Sequence, residues 1–213
     1  MRKGNQLLLV FLFFLTGLGS FFIFRLLQVR RFKKTVFVPQ ESSFELQPPA
    51  EALKGELVLA AGQVKRQARG GEEFEEVIAG EELLEGERLA VGLDSQAEVV
   101  FSAFVQIQLK ASSEISLTNL LPSCFLINQA GGRVNYQTLQ KDNSLSIRVL
   151  HTLLYLTGGE VEVQVDKGEV IIELLAGRAK LALVDLANET QVWFLEKGQT
   201  ALIDDRQRRV EIR

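Results

Sequence analysis

Along residues 91–109, VGLDSQAEVVFSAFVQIQL, oily and polar side chains alternate almost without a break. Val105, Ile107 and Leu109 fall on one side and Gln106, Gln108 and Lys110 on the other, the pattern of a strand with one buried and one wet face. The same period returns at Ile115 and Leu117, at Val134 and Tyr136, at Leu145, Ile147 and Val149, and at Val161, Val163 and Val165. Glycine-rich or polar breaks recur every 8 to 14 residues: Gly62, RGG at 69–71, Gly80, Gly86, Gly92, AGG at 130–132, KDN at 141–143, TGG at 157–159, DKG at 166–168, Gly177, AN at 187–188 and EKG at 196–198. Each reads as a turn. Such spacing predicts an all-β domain of many short antiparallel strands, forming a sandwich, a jelly-roll-like fold or a coiled sheet. Only AGEELLEGERLA, residues 79–90, has room for one helical turn.

The pattern before Gly55 is different. From Leu7 to Phe24 there are 18 residues without a charge. As a helix they rise about 27 Å, close to the ~30 Å thickness of a hydrocarbon core. Arg25 interrupts the run, but its long stem reaches the head groups while Leu26 and Leu27 stay in oil, so the expected transmembrane helix covers 7–27. A cleaved signal peptide is the competing reading; the run is longer than the usual apolar region of one, and GLGS at 17–20 lies in its middle, not after it. No cysteine follows the run closely, which removes a lipoprotein anchor. VPQESSFELQPPAEALKG then supplies Pro39, Pro48 and Pro49 among Ser and Glu, suited to an extended tether.

Charge divides the chain in the same place. Residues 1–40 hold seven Lys or Arg and no acid, which leaves 17 basic against 27 acidic residues in 41–213, a balance of −10 within the overall −3. That sign repels a phosphate backbone and argues against nucleic acid as a partner. Arg30, Arg31, Lys33 and Lys34 are candidates for contact with anionic lipid, each worth about 1 kcal/mol near such a surface. They serve equally as a stop-transfer flank. With Arg25 they outnumber Arg2 and Lys3, so basic-charge bias alone keeps the following domain in the cytoplasm.

The order of features after Gly55 resembles the FecR-like domain family. GELVLAAGQVKRQ opens the domain; Leu83, Gly86-Glu87, Val91-Gly92, then Ser95, Ala97, Val99 and Phe101 follow the family's turn-and-strand pattern. NQAGGRVNYQ, LSIRVL, TGGEVEVQVDKGEVIIELLAGRAKLAL and WFLEKGQTALI are similar to its later segments, so the resemblance covers residues 55–205. It implies a β domain on a single-pass anchor, facing away from the cytoplasm, against the charge bias. The resulting division is a tail at 1–6, a transmembrane helix at 7–27, a basic flank and Pro-containing linker at 28–54, and a FecR-like β domain at 55–213. Three departures stand out. Ser102-Ala103-Phe104 replaces a glycine-bearing hairpin turn, which predicts a bulge; Thr157-Gly158-Gly159 stands where the family carries Arg-Gly-Thr; and only six residues precede the apolar run, too few for the cytoplasmic regulatory region of the founding members.

Candidate chemistry is sparse. His151 and Cys124 are single, so neither a histidine pair nor a thiolate cluster exists for a metal, and no intrachain disulfide forms. His151 reads as a strand-end residue and Cys124 as a small buried hydrophobe, with a Cys-His dyad as the sharper alternative. Glu72, Glu73, Glu75, Glu76, Glu81, Glu82, Glu85 and Glu87 offer oxygen ligands without a calcium-loop pattern, and read better as a solvated edge. Trp193 and Phe194 point to opposite faces of one strand, so one of them is exposed or packed on another layer. No catalytic, cofactor-binding or metal-ligating residue is assigned, and no cofactor. The expected function is a non-enzymatic, membrane-anchored β module at the cell envelope with a structural or interaction role. A sensor or binding module for an envelope polymer or protein partner is the alternative, marked by an exposed apolar patch; an enzyme, marked by a deep polar pocket, is the third.

Overall fold

Strands form where the period-two pattern lies, and glycines decide how they bend. The computed structural model describes residues 51–213; the tail 1–6, the expected transmembrane helix over 7–27, and the basic flank and linker as far as residue 50 lie outside the described residues. Among the described residues there is no helix, and so none long and apolar enough to cross a membrane. The strands are β1 (Gly55–Ala61), β2 (Val64–Gln67), β3 (Phe74–Glu76), β4 (Glu82–Leu83), β5 (Arg88–Val91), β6 (Gln96–Phe101), β7 (Val105–Leu109) and β8 (Glu114–Leu121). They continue as β9 (Cys124–Thr138), β10 (Ser144–Val149), β11 (Thr152–Asp166), β12 (Glu169–Val184), β13 (Thr190–Leu195), β14 (Thr200–Asp204) and β15 (Arg209–Ile212). All belong to one 15-stranded mixed sheet.

Three long strands, β9, β11 and β12, fold that sheet over. The first half of β9 pairs with β8 and β10, and its second half with β7 and β11. β12 pairs with β14 over its first half and with β13 over its second. One layer therefore runs β3, β2, β5, β8, β9, β10, β11, β12, β13, and the other β4, β1, β6, β7, β9, β11, β12, β14, β15. A single core lies between them. Phe101 of β6 meets Phe125 of β9 edge to face across it, with ring centroids 5.0 Å apart.

At each bend the inward positions are five residues apart instead of two: Gln129 to Val134, Leu156 to Val161, and Leu174 to Ala179. An odd interval means one extra residue, a bulge, which switches the parity of the inward side chains as the strand turns from one layer into the other. The register between β11 and β12 shifts there, leaving Gly158 and Gly159 unpaired. Gly177 sits opposite at φ 82°, and a Cβ on it would lie 2.5 Å from the carbonyl oxygen of Gly158; a Cβ on Gly159 would overlap the carbonyl oxygen of Ala176. Only glycine permits backbones to cross this closely.

The all-β expectation holds, with four corrections. AGG, TGG and Gly177 bend continuous strands and do not end them, so β9, β11 and β12 run to 15 or 16 residues and are not short. The pairing is not wholly antiparallel, because β10 lies parallel to β9, with Ser146 beside Leu126 and Val149 beside Gln129. Residues 79–90 form β4, a turn at Glu85-Gly86 and the start of β5, with no helical turn: Gly86 takes φ 90° and donates its N–H to Leu117 O at 2.6 Å, and the local bond from Glu87 N–H to Leu84 O closes a turn. The hairpin at Ser102-Ala103-Phe104 is a three-residue turn between the paired Phe101 and Val105, with β6 and β7 in unbroken register and no bulge in their ladder. Ser102 takes the left-handed conformation at φ 48°, Phe104 N–H donates to Phe101 O, and the Phe104 ring packs on Phe125 at 5.3 Å.

Candidate interaction face

β13 inherits its two-faced character from TQVWFL, an uncharged run with no Gly or Pro. Pairing Leu181 with Trp193 and Ala179 with Leu195 turns Trp193 and Leu195 inward and leaves Val192 and Phe194 outward. Trp193 is half-buried against the core, so of the adjacent aromatic pair it is Phe194 that is exposed. The register aligns two outward rows across three strands: Leu153, Ala182 and Val192 in one, Tyr155, Lys180 and Phe194 in the next. Leu153, Tyr155, Val192 and Phe194 keep 42%, 43%, 44% and 73% of their surface in solvent, and Val184 adds to the same side. The outward neighbours further across this layer are Ser146, Arg148, Asn128 and Ser116, with Leu126 half-buried beside Ser146, so the exposed apolar residues cluster on β11–β13. A contiguous apolar patch of this kind is unusual on a surface that meets only water.

At the foot of the face lies an open groove of about 700 Å³, lined by Leu150, His151, Leu153, Val184, Asp185 and Arg208 among others. His151 occupies the β10–β11 turn, as its strand-end reading requires. Its Nδ1 sits 3.0 Å and 3.1 Å from the two Asp205 carboxylate oxygens, and its backbone N–H donates to Asp205 Oδ1 at 3.2 Å. These contacts fasten the β10–β11 turn to the β14–β15 turn. Asp205 is buried beneath the imidazole, and Thr152, which follows His151, turns into the core with its hydroxyl unpartnered among the described residues. Cys124 is exposed at the start of β9, contrary to the buried reading. It sits at the β8–β9 hairpin, where the backbone turns and no second layer covers its side chain. The parallel pairing of β9 with β10 places it five residues before the partner of Val149, on the order of 16 Å from the His151 end, so the two form no dyad.

The acidic segment is dispersed. Glu75 and Glu76 lie exposed on β3, which pairs only with β2 and is an edge of its layer. Glu82 pairs with Lys54 at 2.8 Å, and Glu81 with Arg66 at 3.5 Å. Glu85 turns inward and accepts Leu120 N–H at 3.0 Å, and Glu87 accepts Leu84 N–H at 2.8 Å. Burial raises the Glu87 carboxyl above its ordinary value, against the opposing pull of the Leu84 N–H and Arg66. These carboxylates tie strands to turns one at a time. Among the described residues no group of three or more His, Cys, Asp or Glu is placed to hold a metal ion.

The face was half legible in the sequence: WF identified an aromatic directed outward, but Leu153 and Tyr155 lie about 40 residues away and join it only through register. No family model matches the sequence, and no curated protein matches it. Among solved structures, two crystal structures of a "putative anti-sigma factor" from Parabacteroides distasonis share its fold. The TM-scores are 0.52 and 0.51, at 10% and 11% identity, over 59% of this chain. The match spans 58% of the length of that protein in each case.

Proposed function

We propose that this chain is a non-enzymatic, membrane-anchored module of FecR-like type at the cell envelope, which works by presenting the outer face of β11–β13 to a protein partner. The observation that carries this reading is the pair of apolar rows around Phe194, left exposed among the described residues. A fold shared with a protein described as an anti-sigma factor supports a signalling setting for that contact. The anchor is residues 7–27, with Arg30, Arg31, Lys33 and Lys34 beside the lipid surface and the β domain outside the cytoplasm.

Orientation is tested with the native thiol. Cys124 is exposed and is the one cysteine of the sequence, so no thiol has to be introduced. In intact cells a membrane-impermeant maleimide is expected to modify Cys124 before lysis, on a protein that stays with the membrane through carbonate extraction. Modification only after lysis would place the domain in the cytoplasm, and release by carbonate would remove the anchor.

The face is tested by photo-crosslinking. With p-benzoylphenylalanine at Tyr155 or Phe194 of the full chain in its membrane, ultraviolet light is expected to give discrete adducts, and with the same residue at exposed Glu72 or Lys167 none. Phe194→Glu should abolish the Tyr155 adduct while changing folding stability by less than about 0.5 kcal/mol, because the side chain is mostly in water. Equal adducts from all four positions would defeat the reading.

A further inference from the structure

The four outer strands of the two layers are not equally guarded. Among the described residues β3 carries Glu75 and Glu76, β4 has two residues, and β15 carries Arg209 and Glu211. Charges and brevity of this sort keep a free edge from pairing with another chain. Among the described residues β13 pairs only with β12; it spans six residues and has neither charge, proline, glycine nor bulge. Its backbone is aligned for pairing. Asp185 N–H donates to Glu189 O at the start of the β12–β13 ladder, so alternation directs the N–H and C=O groups of Gln191, Trp193 and Leu195 toward β12. Those of Thr190, Val192 and Phe194 point off the edge.

We propose that β13 is a dimerisation edge, on which a second copy of this chain lays its own β13 antiparallel, with the two-fold axis at Trp193. This goes beyond the interaction reading above: it uses the backbone edge of β13 and leaves the outer face of β11–β13 open in both copies. Three constraints select the register. Outward-pointing groups must meet outward-pointing groups, which restricts the pairing to centres on Val192, Trp193 or Phe194. A centre on Trp193 sets Val192 of each copy opposite Phe194 of the other, and keeps the six uncharged residues within the shared ladder. It also sets Glu189 opposite Lys197 of the other copy at both ends, whereas a centre on Val192 pairs Glu189 with Leu195, and a centre on Phe194 pairs Lys197 with Gln191. The Trp193 register alone joins opposite charges. It also makes the apolar rows continuous: Leu153, Ala182 and Val192 run on into Phe194, the Lys180 stem and Tyr155 of the second copy. The contact is isologous and closes at two copies, since each β13 edge is then used.

The test uses the full chain in its membrane, with Cys124→Ala to remove the native thiol. Two differently tagged forms, one with Val192→Cys and the other with Phe194→Cys, are co-expressed and exposed to a mild oxidant. Directly opposed residues in a hydrogen-bonded pair stand within disulfide reach, and residues offset by two do not, so the mixed disulfide is expected at about fivefold or more over either same-residue disulfide. Glu189→Lys or Lys197→Glu alone should lower its yield about tenfold by opposing like charges twice, and the two together should restore it. Same-residue disulfides in equal yield, or no rescue by the double reversal, would overturn this register. Photo-adducts from Phe194 with none at twice the mass of the chain would overturn the second copy at this edge while leaving the interaction face standing.

Discussion

Gly159→Ala is expected to cost about 3 kcal/mol or more of folding stability, or to prevent folding altogether. The added Cβ would overlap the backbone oxygen of Ala176 and crowd the Cα of Gly177, and neither is the end of a flexible side chain that can swing aside. Relief would require β11 and β12 to separate where both turn between layers, and the residues on each side of that point, Leu156, Val161, Leu174 and Ala179, are buried. Gly131→Ala is the control. Gly131 lies at the equivalent bend of β9, its added Cβ would meet nothing within 4 Å, and its φ is not positive. There alanine should be neutral or stabilise by about 0.4–1 kcal/mol, through the lost freedom of the unfolded chain. Guanidinium titration followed by fluorescence of Trp193, the only tryptophan, measures both. Similar costs at the two sites would mean that close crossing of β11 and β12 is not what fixes the bend.

The second large effect belongs to a buried polar clamp at the bend of β9. Gln129 is fully buried, and its Nε2 donates to Gly132 O at 3.0 Å and to Val163 O at 3.1 Å. Tyr136, equally buried, donates its hydroxyl to Gln129 Oε1 at 3.1 Å, so both halves of β9 and the second half of β11 meet on one amide. Burial pushes the Tyr136 hydroxyl well above its ordinary value of 10, which keeps it a donor at any pH the fold meets. Gln129→Leu takes the amide donor away from Gly132 O and Val163 O and leaves the phenol without its acceptor, and is expected to cost about 2–4 kcal/mol, since a buried polar group left unsatisfied costs about 1–3 kcal/mol. Tyr136→Phe orphans only one amide lone pair and should cost about 1–2 kcal/mol. Because the phenol is no longer stranded when both are changed, the double variant should be about 1 kcal/mol more stable than the sum of the single losses predicts. Strict additivity in denaturant unfolding would show that the clamp does not act as a unit.

The inward residues were readable because alternation is a local property. Val105, Ile107 and Leu109, Leu145, Ile147 and Val149, and Val161 and Val163 all lie in the core as their period requires. Glycine was readable as punctuation but not as grammar. RGG at 69–71 does close a turn between β2 and β3, whereas AGG and TGG sit inside strands. The difference lies in whether the chain beyond the glycine pairs with its predecessor or carries on into the opposite layer, and that depends on partners far away in sequence. Ser102 shows the converse: a turn without glycine forms because the pairing of Phe101 with Val105 and the packing of Phe104 on Phe125 hold a left-handed serine in place.

By itself the sequence determined that residues from Gly55 onward form strands and which of their side chains face inward. It also marked Trp193 and Phe194 as facing opposite ways. The tertiary structure decided the rest: that three strands pass through both layers, that β10 runs parallel to β9, that Cys124 is exposed, and that Leu153 and Tyr155 stand beside Val192 and Phe194 as one face. The physical reason is one of range. A strand's two faces follow from pleat geometry within a few residues, but which strand lies beside it, and whether an edge or a face is left uncovered, follows from burying one shared core with residues drawn from the whole chain.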